Sequence, residues 1–343
     1  MRVETICLNE ERNVTLSAWI SEVGGEFAPV ERRPAILVLP GGGYAMCSDR
    51  EAEPVAAAYL RAGYQTFILR YSVKEHKVWP NPLDDYEQAM ELIRGNSDTW
   101  HVDANRVAVA GFSAGGHLAA CAATIAKNRP NAVILGYAAL KKETCDMCQP
   151  GMPYPVDCVD GNTPACFLFA TRNDMVVDIR NTLDFEKALA EKGISFESHI
   201  YSFGSHGFST GEKWLNPTIL SRRTKDWVED SIEWLGELWG EFRQTGFTAP
   251  MFERTVNADF AEKLSAGCTI RHLKKQNGEV QEILAESFGI LETFITDKFN
   301  GSDVARAAIE GYTLSDALLT LQVTIDKILE IDAKLREHPN KVK

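Results

Sequence analysis

Between residues 35 and 242, short apolar, β-branched runs alternate with longer stretches of helical spacing, and this alternation constrains the fold more than any other feature of the chain. The runs are AILVLP, QTFILRYS, VAVAGFS, AVILGYA, CFLFAT and FESHIYS. Strands that alternate with helices need crossover connections, so they predict a mainly parallel sheet covered by helices on both faces. The helices are expected at 50–61, 83–94, 114–127, 179–192 and 222–242. In the last of these, Trp227, Ile232, Trp234, Leu235, Leu238, Trp239 and Phe242 form an aromatic face suited to covering a sheet. Upstream, VTLSAWI alternates residue by residue and reads as an antiparallel edge strand.

The texture changes after Gln244. TGFTAP is a Gly- and Pro-containing break, and beyond it strand signals disappear. Val280, Ile283, Leu284, Phe288, Leu291, Phe294 and Ile295 follow helical spacing, and so do Leu314, Leu318, Leu321, Ile325, Ile328 and Leu335. NGSD ahead of Val304 reads as a break and cap. These signals divide the 343 residues into an α/β domain at 1–246 and a small helical bundle at 247–343. The leucine stripe is read as buried core, because sustained e/g charge pairing is absent. An internal buttress, a dimer contact and a partner-docking surface are all open uses for these helices.

Lys and Arg total 36 against 48 Asp and Glu, a formal net charge of −12. Such a surface repels a phosphate backbone or an anionic bilayer, so nucleic-acid and membrane partners are not expected. No apolar run approaches the roughly 18 residues that would span a bilayer. MRVETICLNEERN lacks the pattern of a secretion signal, which makes the cytoplasm the expected location. The eight cysteines are then expected to be reduced thiols. Cys145, Cys148, Cys158 and Cys166 begin like a zinc site but lack a second tight pair, so no metal is expected there.

The chemistry gathers around VAVAGFSAGGHLAA, which reads as strand, Gly111-Phe112-Ser113-Ala114-Gly115, helix. G-x-S-x-G in that setting is a nucleophile elbow, a strained turn that lifts a serine hydroxyl above the sheet edge. Ser113 also stands at a helix N-terminus, which favours developing negative charge. A nucleophilic serine needs donors for an oxyanion, and Pro40-Gly41-Gly42-Gly43-Tyr44 follows the strand AILVL. The amides of Gly42, Gly43 and Ala114 are the candidate donors. The run lacks the Lys-Ser/Thr of a phosphate loop.

Among seven histidines, His206 in FGSHGF is the one expected on a loop directly after a late strand, and it is the candidate base. His199 lies within a strand and His117 one turn beyond the elbow, so both are read as structural. Asp174, on the loop after CFLFAT, is the preferred third member; Asp178 is better explained as a helix cap. Ser, Asp, His is the chain order of α/β-hydrolases.

At these residues the chain resembles a known group. From PGGGYAMCSDREAEPVAAAYLRAGYQTFILRYS through WPNPLDDYEQAMELIR to VAVAGFSAGGHLAA it is similar to α/β-hydrolase esterases related to acetyl-xylan, acetyl and feruloyl esterases. The resemblance covers most of 30–245 and leaves the helical tail outside. It implies an α/β-hydrolase fold and hydrolysis of short acyl esters, acetyl groups on sugars included, with Ser113, Asp174 and His206 at the triad positions and no cofactor. A small-molecule ester is then the expected partner. The segment at 138–165, where lipases insert a lid, is short, which favours a shallow pocket with Tyr44, Trp79 and Tyr154 as candidate lining. A serine peptidase or amidase of the same fold, and a non-catalytic binding module using the helical tail, are the competing readings.

Overall fold

Successive residues of each central strand feed two different cores. Leu37 and Leu39, Val107 and Val109, and Val133 and Leu135 belong to one apolar cluster. Their neighbours Ile36 and Val38, Ala108 and Ala110, and Ile134 belong to the other. This period of two explains why these runs are apolar without interruption: both faces of the sheet are covered. The computed structural model describes residues 1–27, 29–216, 218–243 and 245–340.

The chain divides into two compact units, the first Met1–Arg254 and the second beginning at Thr255. In the first, the strands are β1 (Arg2–Asn9), β2 (Val14–Ile20), β3 (Arg33–Leu39), β4 (Gln65–Arg70), β5 (Val102–Phe112), β6 (Ala132–Gly136), β7 (Ala165–Thr171) and β8 (Phe196–Tyr201). They form one sheet in the order β1-β2-β4-β3-β5-β6-β7-β8. Pairing is antiparallel for β1 with β2 and β2 with β4, and parallel from β4 to β8. The helices α1 (Glu53–Arg61), α2 (Asn81–Gly95), α3 (Ala114–Thr124), α4 (Lys142–Cys148), α5 (Arg180–Glu191) and α6 (Trp227–Trp239) fall between or after the strands. Buried residues of α2, α3 and α5 join the first cluster, and those of α1 and α6 the second.

The site follows from this topology. β3 lies between β4 and β5, so the chain leaves β3 towards one side and later returns on the other. Loops diverge at such a reversal and leave a crevice at the carboxyl ends of the strands. Leu39 pairs with Gly111, which sets the glycine loop after β3 beside the turn after β5. Thr171 pairs with Tyr201, which likewise brings together the loops after β7 and β8.

Three expectations from the sequence need correction. VTLSAWI is antiparallel but not the sheet edge, because β1 pairs along its outer side. RVETICLN escaped notice because no residue of β1 is fully buried. The helix expected to reach 242 stops at Trp239. Gly240 has φ +85°, and a Cβ there would sit 1.9 Å from the Thr248 carbonyl oxygen. Phe242 instead enters a small hairpin, β9 (Phe242–Arg243) with β10 (Gly246–Phe247). Finally, the division falls after Arg254 rather than after 246. The Ser195 amide donates to the Arg254 carbonyl at 2.8 Å and its hydroxyl to that of Glu253 at 2.6 Å, which ties the connecting segment to the first unit.

The second unit holds α7 (Ile270–Leu273), α8 (Gly278–Phe299), α9 (Asp303–Ile309), α10 (Leu314–Thr320) and α11 (Ile325–Leu335). Leu284, Leu291, Leu314, Leu318, Ile328 and Leu335 are buried together, so the leucine stripe is core. The stripe breaks between α10 and α11, where Gln322 has φ +61°. Ser302 accepts a hydrogen bond from the Ala305 amide and so caps α9.

Candidate active site

Ser113 joins β5 to α3 with φ +53° and ψ −117°, a conformation that L-residues seldom adopt. Its backbone holds it there. The Ser113 amide donates to the Gly136 carbonyl at 3.0 Å, and its own carbonyl accepts from the amides of His117 at 3.0 Å and Ala139 at 3.2 Å. The helix can start this close to the sheet because position 115 is glycine. A Cβ there would lie 2.1 Å from the Leu39 oxygen and 2.4 Å from the Pro40 oxygen.

The Ser113 hydroxyl is 2.8 Å from His206 Nε2, and His206 Nδ1 is 2.7 Å from Asp174 Oδ2. A carboxylate can only accept, so the imidazole proton sits on Nδ1 and Nε2 is left to accept from Oγ–H. Asp174 is fixed in turn: its Oδ1 takes the amides of Val176 at 2.8 Å and Val177 at 2.9 Å. Its side chain is 1% exposed against 16% for His206, so the pair opens to solvent only on the histidine side. The histidine loop is tied to the aspartate loop at Gly204. The Gly204 amide donates to Asn173 Oδ1 and its carbonyl accepts from the Thr171 hydroxyl, both at 2.9 Å.

Beside Ser113 lies the glycine loop. The Gly41 amide is taken by Glu51 Oε2 at 2.8 Å. Among the described residues, the amides of Gly42, Gly43 and Ala114 donate to no protein atom, which leaves them available to a ligand oxygen.

The other candidates separate from this cluster. Asp178 is bound to Arg180 through the backbone amide and the guanidinium, which pulls its carboxyl down to about 2. His199 pairs with Glu197 at 2.7 Å and stacks on Phe167. His117 is buried, and burial pushes it down to about 4. Neutral at ordinary pH, it has one proton for two oxygen contacts: Tyr44 hydroxyl at Nδ1, 2.7 Å, and Pro153 carbonyl at Nε2, 2.9 Å, with the Cys121 sulfur farther off at 3.6 Å. A carbonyl cannot donate, so Nε2–H donates to Pro153 and Nδ1 accepts from Tyr44.

That bond corrects the expectation that Tyr44 lines a substrate pocket. Its side chain is buried, its hydroxyl is committed to His117, and its ring packs edge-on against Tyr71. Trp79 is half-buried and stands edge-on to His117. Tyr154 is half-buried with its hydroxyl between Lys142 and Asp146. Cys145, Cys148, Cys158 and Cys166 are free thiols, and no group of three or more potential metal ligands forms among the described residues. Two site neighbours escaped the sequence reading, Glu51 and Tyr137. Ser48-Asp-Arg-Glu51 looks like a helix capping box on a surface, yet the Ser48 side chain caps nothing and Glu51 is buried.

The chain has counterparts of known structure. MGS-M1, an alpha/beta hydrolase enzyme from a Medee basin deep-sea metagenome library, is 41% identical with a TM-score of 0.64; the match covers 69% of this chain and 97% of that one. The chain belongs to the α/β-hydrolase family. Residues 28–134 of this α/β-hydrolase also match the family described as BD-FAE. It is 32% identical over 211 residues to endo-1,4-beta-xylanase B of Butyrivibrio fibrisolvens, covering 52% of this chain and 33% of that protein. It is 29% identical over 217 residues to an acetylxylan esterase of Xylanibacter ruminicola, covering 57% of this chain and 45% of that protein. The α/β-hydrolase thus spans less than half the length of these two curated relatives.

Proposed function

We propose that this α/β-hydrolase is a serine carboxylesterase acting on short-chain acyl esters, including acetyl groups on carbohydrate. The observation that carries the reading is the unbroken relay from Asp174 through His206 to the Ser113 hydroxyl, at 2.7 and 2.8 Å. In the proposed cycle His206 Nε2 takes the Ser113 proton as Oγ attacks the ester carbonyl. The oxyanion accepts hydrogen bonds from Ala114 and the Gly42–Gly43 amides. The imidazolium, stabilised by Asp174, then gives its proton to the leaving alcohol. Water, deprotonated by the same nitrogen, releases the acid from the acyl-enzyme and restores Ser113. The residues described here perform these steps with side-chain and backbone groups alone.

Two further observations support a small acyl group and a sugar alcohol. Between β6 and β7 the chain forms only α4 and a short 3-10 turn at Pro155–Cys158, so little polypeptide is present there to enclose a long acyl chain. The names of two relatives, a xylanase and an acetylxylan esterase, connect this sequence type with xylan. Turnover of p-nitrophenyl acetate, butyrate and octanoate, alongside release of acetate from acetylated xylo-oligosaccharides, tests the reading. Acetate esters should be fastest, and Ser113→Ala should be inert. Equal rates on octanoate would remove the short-chain claim, and activity in Ser113→Ala the serine mechanism.

A further inference from the structure

One buried charge beside the relay has no part in the cycle above. Glu51 is 3% exposed. Its two oxygens serve different loops. Oε2 accepts from the Gly41 amide at 2.8 Å, at the root of the glycine loop. Oε1 accepts from the Tyr137 hydroxyl at 2.7 Å. The Tyr137 oxygen also accepts from the Ser209 amide at 2.9 Å, three residues beyond His206. The Tyr137 ring lies edge-on to the imidazole, 5.0 Å between centroids. Arg50 reinforces the same join, since its carbonyl accepts from the Ser209 hydroxyl.

This geometry selects the ionised form of Glu51. The Gly41 N–H can only donate. The Tyr137 oxygen already receives Ser209, which directs its own proton at Glu51. A protonated carboxyl would set a third hydrogen against one of those two. Burial raises the Glu51 carboxyl above the usual carboxylate value and outweighs the opposing pull of Tyr137, Gly41, His206 and Arg50, so it is the hydrogen-bond geometry that favours the anion. The ionisable and charged groups facing it are therefore Tyr137, His206 and Arg50, with Tyr71 on the far side of the glycine loop.

We infer that Glu51 is a positioning residue: one carboxylate that locks the oxyanion loop through Gly41 and the histidine loop through Tyr137, and sets a second negative charge beside His206 where the imidazolium forms. The inference rests on the esterase reading. Tying both loops to one rigid anion keeps donors and base in register with Ser113, and preorganisation of this kind acts on the transition state more than on ground-state binding.

The test is steady-state hydrolysis of p-nitrophenyl acetate from pH 4 to 9 by the wild type, Glu51→Gln and Tyr137→Phe, with thermal melts and fluorophosphonate labelling of each. A glutamine cannot accept from both donors. Glu51→Gln is expected to lower kcat about 10- to 100-fold with KM nearly unchanged. The acid limb of kcat/KM should move to lower pH, because the charge that favours the imidazolium is gone. Tyr137→Phe should lose less. A folded Glu51→Gln whose kcat and acid limb both match the wild type overturns the inference. If Glu51→Gln does not fold, Tyr137→Phe decides, and unchanged kcat in it overturns the inference. A wild type that neither turns over nor labels overturns the esterase reading and this inference with it; an active wild type beside an indistinguishable Glu51→Gln overturns this inference alone.

Discussion

Asp174 and His206 are joined by a 2.7 Å hydrogen bond, and the aspartate oxygen not used in it accepts two backbone amides. The carboxylate therefore cannot rotate away without leaving the Val176 and Val177 amides unpaired. Asp174→Asn can keep those amides through its carbonyl, but then turns an NH₂ towards Nδ1. The proton is forced onto Nε2, where it can no longer accept from Ser113. Turnover is expected to fall about 10⁴-fold with the fold intact. Kinetics on p-nitrophenyl acetate together with far-UV circular dichroism check this; a loss below tenfold in a folded variant would remove Asp174 from the relay.

His206 and His199 offer a paired comparison. Only the first contacts Ser113; the second is committed to Glu197 and the Phe167 ring. His206→Ala should lose several orders of magnitude in kcat. His199→Ala should stay within about twofold of the wild type, since it touches neither the nucleophile nor its partners. The reverse pattern would mean that the base has been assigned to the wrong loop.

Gly115→Ala adds one methyl group against the Leu39 and Pro40 carbonyl oxygens, at 2.1 and 2.4 Å. Both are backbone atoms, one in the central strand β3 and the other in the residue directly after it, and neither can swing aside as a side chain would. A cost of about 3 kcal/mol or more is expected, read as a lower urea midpoint. An unchanged midpoint would show that α3 can shift away from β3.

His117 makes stability depend on pH. Its folded-state value is lowered to about 4 by burial, against an ordinary 6.5. Between these values the unfolded chain binds the proton and the folded chain does not, so stability falls as the pH falls. The contribution is complete above about pH 6.5 and declines on the order of 3 kcal/mol towards pH 4. Melting temperatures of the wild type and His117→Gln across pH 4–7.5 check it. The variant should melt lower at neutral pH but show a flatter slope; parallel slopes would assign the acid sensitivity elsewhere.

Much of this arrangement was legible along the chain because it depends on near neighbours. The strand, tight turn and helix around Ser113 are encoded within a few residues, and glycine at 115 follows from how closely α3 starts to β3. His206 and Asp174 were readable for a similar reason: Asp174 follows β7, an apolar run buried throughout, His206 follows the next strand, and a parallel sheet brings the loops at one end together. The amphipathic spacing of α8 likewise marks a buried face whatever it packs against.

What the chain did not reveal depends on partners distant in sequence. Whether β2 is an edge depends on β1, none of whose residues is fully buried. Tyr44 read as pocket lining beside the glycine loop, whereas its hydroxyl is committed to His117 and its side chain is buried. Glu51 reads locally as an ordinary acidic helix start, and its burial is decided by Gly41 and Tyr137, which the fold brings to its two oxygens. By itself the sequence determined the alternating elements, the nucleophile turn and the order of the polar loops, since propensity, periodicity and steric tightness are local. Only the tertiary structure decided which polar groups are buried and which donor each acceptor meets, because desolvation and hydrogen-bond pairing exist only between surfaces that folding brings together.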